Sequence, residues 1–230
     1  MKSVLISNKP KWCEKICHEI GKDETGKPIY EKRIEVRKSA PKEVPFKAYI
    51  YATRPKKFYK CGAIRMSDEW LWLANGKVEM GDGFKFWANG DEYQCLNGRI
   101  IGEFICDRID EYKYVYCDHP EIGYPVGYDC GDNWYDIDEE DLQKACLTEE
   151  EFKRYGNGKL LYGWHISNLK IYDKPKELNE FYRICKKSCK PSKGKIFCLT
   201  TKSLKKNGCD GKIPLNRPPQ SYMFVEEVKK

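Results

Sequence analysis

Residues 31 to 37 read Glu31-Lys32-Arg33-Ile34-Glu35-Val36-Arg37, and the alternation in this stretch decides the fold. Ile34 and Val36 are interleaved with Arg33, Glu35 and Arg37, which is the period of a half-buried β-strand, because successive side chains of a strand point to opposite faces. One face is apolar and the other is a polar ladder. Such a ladder is either a solvated strand face or a site in which Glu35, between two guanidinium groups, is aimed at a ligand. Lys32, where the strand begins, can turn into the same cleft.

On the N-terminal side of this strand, Val4 to Ile6 reads as a short strand. Lys9-Pro10-Lys11-Trp12 opens a helix to about Ile20, since proline suits a first helical turn and Trp12, Ile16 and Ile20 recur at spacing four. Gly21 to Pro28 is a polar turn. On the C-terminal side, Phe46 to Ala52 is a strand. Residues 55 to 99 form a hairpin-type insertion in which Trp70, Trp72 and Trp87 flank Asn75-Gly76 and Gly81-Asp82-Gly83, the turn chemistry of hairpins; packing is the simplest role for these tryptophans. Ile100 to Ile109 is a strand and Asp118 to Tyr135 a long loop. Asp138 to Cys146 and Thr148 to Tyr155 are two short acidic helices, the second with a Thr148 to Glu151 capping box. Leu160 to Tyr172 is a strand, Lys176 to Ile184 a short helix, 185 to 211 a Lys/Cys-rich insertion and Ser221 to Val225 a last strand.

Strands mixed with short helices, without regular strand-helix alternation, predict an α+β fold: a mixed β-barrel with short flanking helices and two insertions, one domain over residues 1 to 230. No glycine cluster has the strand-to-helix context and Lys-Ser/Thr ending of a phosphate loop, which excludes a P-loop enzyme. With mean hydropathy of -0.74, no apolar run near the length of a bilayer span and no apolar block after the lysines of Met1 to Lys11, the chain reads as cytoplasmic, with no membrane partner. Its 12 cysteines are then thiols or metal ligands in preference to disulfides.

The net charge of +7 conceals a segregation. Residues 1 to 65 hold 17 Lys or Arg against 7 Asp or Glu, a net +10; residues 103 to 151 hold 3 against 16, a net -13; residues 181 to 217 hold 11 against 1, a net +10. Two basic ends brought together would make a surface able to hold a polyanion, so RNA or a nucleotide is the expected partner. The three histidines, His18, His119 and His165, have no second ligand at metal spacing, and His165 reads as a satisfied structural residue.

The order of these segments, with Gly102-Glu103-Phe104, Tyr162-Gly163-Trp164-His165-Ile166 and a closing Pro218-Pro219-Gln220-Ser221-Tyr222, resembles the ASCH domain family of the PUA-like superfamily, and within it the proteins carried by phages and mobile elements of Gram-positive bacteria. The Lys32 to Arg37 stretch resembles that family's Gly-x-Lys-Thr-x-Glu-x-Arg signature, with Tyr30 at the glycine position and Arg33 at the threonine. The resemblance implies a compact barrel with a ligand cleft linked to RNA or nucleoside recognition. It also implies, for a few bacterial members, hydrolysis of N4-acetylcytidine. Lys32 maps onto the lysine those hydrolases use, whereas their threonine two positions before the strand's arginine corresponds to Glu35. That exchange removes the hydroxyl nucleophile and leaves Glu35 as a general base on water.

Three functional readings follow. In the first, a cleft lined by Lys9, Trp12, Lys32, Arg33, Glu35, Arg37, Trp164 and Gln220 binds RNA, a nucleotide or a modified nucleoside, its cations on phosphates and its aromatics under bases, each stack worth roughly 1 to 3 kcal/mol. In the second, Lys32 and Glu35 are catalytic residues of an amidohydrolase acting on an N4-acylated cytidine. In the third, the chain is a phage or mobile-element effector binding a host protein, its acidic segment imitating nucleic acid. Separately, Cys185, Cys189, Cys198 and Cys209 lie in a cationic stretch too poor in apolar residues to build a core. Four thiolates there suit a structural zinc in tetrahedral coordination, whose binding would supply the missing folding energy.

Overall fold

The computed structural model describes residues 1–54, 70–81, 93–115, 134–184, 196–198, 203–205 and 212–227. In chain order these residues form β1 (Lys2–Asn8), α1 (Pro10–Cys17), β2 (Glu19–Lys22), β3 (Pro28–Tyr30), β4 (Ile34–Arg37), β5 (Phe46–Ala52), β6 (Trp70–Ala74), β7 (Lys77–Gly81), β8 (Tyr93–Cys95) and β9 (Ile100–Cys106). There follow β10 (Ile109–Tyr112), β11 (Tyr114–Val115), β12 (Trp134–Tyr135), α2 (Glu139–Ala145), α3 (Glu149–Gly156), β13 (Leu161–His165), β14 (Ser167–Lys176) and β15 (Phe181–Ile184). The chain closes with β16 (Ile196–Cys198), β17 (Ser203–Lys205), β18 (Lys212–Pro214), β19 (Tyr222–Phe224) and β20 (Glu226–Glu227).

Two sheets enclose the main core. The larger runs β14-β9-β5-β1-β19, with β1 and β5 parallel and every other neighbour antiparallel; the smaller runs β10-β13-β4, all antiparallel. Three times one strand leads directly into the next across the two sheets, from β4 into β5, from β9 into β10 and from β13 into β14. Leu160 to Tyr172 is therefore two strands in different sheets, as is Ile100 to Ile109. Between the sheets Val4, Ile6, Phe46, Ile50, Phe104 and Trp164 are buried with Cys13 and Ile16 of α1. A second core, including Leu5, Tyr49, Ile100 and Phe181, covers the other face of the larger sheet. The α+β architecture expected of the sequence is the one observed.

Helix α1 begins as its proline predicts, the Lys9 carbonyl accepting the Trp12 and Cys13 N–H groups. It ends at Cys17 and not near Ile20, because the returning chain takes its terminal acceptors: Glu31 N–H donates to His18 O at 2.9 Å and Lys32 N–H to Lys15 O at 3.0 Å. Residues 19–22 instead pair with 28–30 around a turn in which the Asp23 carboxylate accepts the Thr25 and Lys27 N–H groups, leaving Ile20 56% exposed. Lys176 to Ile184 is likewise no α-helix; a 3-10 turn at Leu178–Glu180 runs into β15. Around Asn75 and Gly76, both at positive φ, β6 and β7 form the expected hairpin, and Trp70 and Trp72 are buried and stacked 6.0 Å apart. Trp87 lies outside the described residues.

Helix α3 carries the capping box read from the sequence, with Thr148 Oγ1 accepting Glu151 N–H at 3.1 Å and Glu151 Oε2 accepting Thr148 N–H at 3.2 Å. It buries Phe152 against Ile34, Val36, Tyr112 and Tyr135 in a third core. The two faces of β4 thus go separate ways, Ile34 and Val36 toward the helices and Glu35 and Arg37 toward the space between the sheets. Gly163, opposite Val36, has no room for a side chain: a Cβ there would lie 2.7 Å from the Tyr112 ring.

Candidate functional site

The strand that opened the sequence reading is buried along its whole length. Glu35 is 6% exposed, Arg37 7%, and Lys32 just before the strand 3%. Neither face is solvated; the polar one forms a cluster with Asn8 at the end of β1.

Arg37 organises it. Its Nη2 lies 2.8 Å from Glu35 Oε1 and also donates to Asn8 Oδ1 and, at 3.2 Å, to Ser7 O. Its Nη1 donates to Ser7 O at 3.2 Å and Ser221 O at 3.5 Å, joining β1 to the segment leading into β19. Lys32 approaches from the strand's start. Its Nζ donates to Ala145 O at 2.6 Å, an otherwise orphaned carbonyl at the negative end of α2, and lies 3.7 Å from Glu35 Oε2. Burial pulls its ammonium pKa below the usual lysine range, with Glu35 opposing the shift. Half-buried Trp12 stands over the same lysine, 5.1 Å from Nζ to the ring centre, with Lys11 at 4.3 Å.

Four polar atoms here are buried without a hydrogen-bond partner: Asn8 Nδ2, Glu35 Oε2, Arg37 Nε and the indole Nε1 of Trp164, which lies directly across the ladder from Glu35. Buried donors and acceptors left unpaired cost about 1 to 3 kcal/mol each, so folded proteins rarely collect them. Three of the four are donors, and Glu35 Oε2, though without a hydrogen bond, faces Lys32 Nζ at 3.7 Å.

The residues predicted for the cleft divide. Lys32, Glu35, Arg37 and Trp12 come together. Trp164 joins them differently from the expectation: it is fully buried, with Phe46 and Tyr222 edge-on at 5.1 and 5.3 Å, so its ring faces are spent on packing and its N–H is what remains. Arg33 does not join. Its backbone is held between Lys144 O and Ile166 N–H and its side chain is exposed. Lys9 and Gln220 are exposed, beside Asn8 and Ser221 respectively. Cys185, Cys189 and Cys209 lie outside the described residues, as does the side chain of Cys198. Among the described residues no group of three or more His, Cys, Asp or Glu is placed to hold a metal. The five cysteines whose side chains are described are free thiols, and burial pushes Cys17 and Cys106 up to about 12. His165 is satisfied structurally, its Nε2 2.6 Å from Asp110 Oδ2.

Two members were missed by the sequence reading. Asn8 ends an unremarkable strand, and only the Arg37 contact reveals it. Tyr155, on α3, is 39% exposed with the Lys38 ammonium 5.1 Å over its ring. Burial raises its phenol pKa, while Arg37 lowers it and Glu35 raises it. Its signal was the helical spacing from buried Phe152. Lys11 and Glu151, 3.5 Å apart, bridge α1 to α3 beside the cluster.

Two solved structures are similar to the chain. One is the crystal structure of ASCH from Zymomonas mobilis, 16% identical over 77% of this chain and 74% of that one, with a TM-score of 0.37. The other is a mutant of that protein, 15% identical over 77% of each chain, again with a TM-score of 0.37. No family model and no curated protein matches the chain. Among the described residues no helix is long and apolar enough to cross a membrane.

Proposed function

We propose that the chain binds RNA, a nucleotide or a modified nucleoside, with a base directed into the Lys32, Glu35, Arg37 and Asn8 cluster and phosphates held outside it. The observation that carries this reading is the set of four buried polar atoms without a hydrogen bond on one face of β1, β4 and β13, beside the half-buried ring of Trp12. The setting suits a nucleic acid: Lys9, Lys11 and Lys38 are exposed and adjoin Asn8, Trp12 and Arg37 in sequence, giving sequence-independent attraction to phosphates. Filter binding of RNA and single-stranded DNA at two salt concentrations tests it. Affinity should fall with salt by the release of about 0.7 counterion per phosphate contacted; no binding, or binding indifferent to salt, overturns the reading.

Hydrolysis of an N4-acylated cytidine is a second reading, favoured by the 3.7 Å separation of Lys32 Nζ and Glu35 Oε2. Turnover of N4-acetylcytidine that Lys32→Ala abolishes would establish it over binding alone.

A further inference from the structure

Strand β19 is an outermost strand of the larger sheet, and among the described residues it pairs only with β1. Val225 N–H donates to Ser3 O at 3.0 Å and Ser7 N–H to Ser221 O at 3.3 Å, so the odd-numbered positions bond to β1. Antiparallel hydrogen bonding alternates, and the N–H and C=O groups of Tyr222 and Phe224 therefore point away from β1, toward the open edge. Such an edge is a template for a further strand.

The edge lines a groove of about 1180 Å³, together with the start of β1, the β4–β5 connection, β15 and β18. Among the described residues seven large hydrophobic side chains are exposed, and four of them, Met1, Val44, Ile184 and Phe224, line this one groove. Apolar side chains gathered in that way beside unpaired backbone mark a surface that another chain covers.

Charge indicates what that chain carries. The groove is lined by residues from 1 to 65 and from 181 to 217, the two segments that each hold a net +10, so the basic ends of the sequence meet here. Within the lining Lys2 is held by Glu43 at 2.7 Å, and Glu226 accepts the Tyr182 hydroxyl at 2.7 Å. Arg183, exposed on β15, is the charge left for an incoming residue. A nucleic acid backbone has phosphate acceptors but no N–H groups, so it would leave the outward carbonyls of Tyr222 and Phe224 unanswered, whereas a peptide answers donors and acceptors alike. A second copy would bring its own net charge of +7 to the same face.

We propose that an extended segment of another protein adds to the open edge of β19 as the next strand, with apolar side chains for Val44, Ile184 and Phe224 and a carboxylate for Arg183. Backbone pairing then supplies affinity and the groove supplies selection by side chain. This surface is separate from the Lys32, Glu35 and Arg37 cluster, and it stands whether or not that cluster binds RNA.

Selection of a bead-displayed library of random peptides against the full chain tests this, followed by amide hydrogen exchange read by NMR. Enriched peptides should be apolar with an acidic residue, and a selected peptide should slow exchange at the Tyr222 and Phe224 amides. Methylating its alternate backbone nitrogens should weaken it by about tenfold, the worth of a hydrogen bond or two. Arg183→Glu should exchange the enriched acidic residue for a basic one, and Phe224→Lys should lower the affinity of the selected peptide; both positions are exposed, and circular dichroism checks the fold of each variant. The wild-type exchange measurement stands without either variant. No enrichment, or selected peptides that leave the Tyr222 and Phe224 amides unprotected, overturns the proposal. Protection of those amides by RNA, or by concentrating the chain alone, assigns the edge to a nucleic acid or to a second copy and overturns it equally.

Discussion

Arg37 ties β1, β4 and the approach to β19 through one guanidinium group. Removing one partner of a buried ion pair leaves the other charge desolvated and alone, which costs about 3 to 5 kcal/mol. Arg37→Met should therefore lower stability by that amount in urea denaturation, and an unchanged midpoint would mean that the cluster holds nothing together. Lys32 makes a prediction of opposite flavour. Its folded pKa lies below the unfolded value of 10.5, so as pH rises through that window the native state sheds its proton while the unfolded chain still holds one, and stability rises with pH. Compared with Lys32→Gln, the wild type should gain stability between neutral pH and the unfolded lysine pKa; a flat difference would contradict the buried cation. Part of this was legible in the sequence, since Lys32, Glu35 and Arg37 stand in one heptapeptide. Asn8 was not, for no local pattern separates a strand-ending asparagine that anchors an arginine from one that merely meets water.

Elements were read well where local chemistry sets their limits. The Thr148 and Glu151 box starts α3 because the side chains that satisfy its first N–H groups are three residues apart in sequence. Thr148→Ala should cost about 0.5 to 2 kcal/mol and speed amide exchange across Glu149–Gly156, the helix that carries Tyr155; undiminished protection would show the cap to be idle. The end of α1 departs from the local pattern for a complementary reason. Helix spacing alone continues to Ile20, but the carbonyls of Lys15 and His18 are claimed by residues 31 and 32 returning from the hairpin, and a competitor that distant leaves no trace in the local period. Strand β4 shows both outcomes at once. Its alternation was plain, whereas the burial of its polar face came from β1 and β13 closing over it.

At the scale of the whole molecule, charge segregation places exposed lysines around a buried cluster in which Lys32 and Arg37 share one carboxylate, Glu35. Lys9 and Lys38, next in sequence to Asn8 and Arg37, are both exposed. If each contacts one phosphate, the double variant Lys9→Gln, Lys38→Gln should reduce the salt slope of RNA binding by about 1.4 while leaving nucleoside affinity intact; an unaltered slope would place the phosphates elsewhere. Composition and periodicity were enough to establish the α+β class, the strand at Ile34–Arg37, the capping box of the second acidic helix and the excess of positive charge, since each depends on composition or on neighbours within a few residues. Which polar groups lose their water, and that Trp164 offers an N–H instead of a ring face, follows from β1, β4 and β13 meeting across more than 150 positions of chain. Burial is a property of the assembled sheets, and desolvation turns an ordinary polar ladder into a set of unanswered hydrogen bonds.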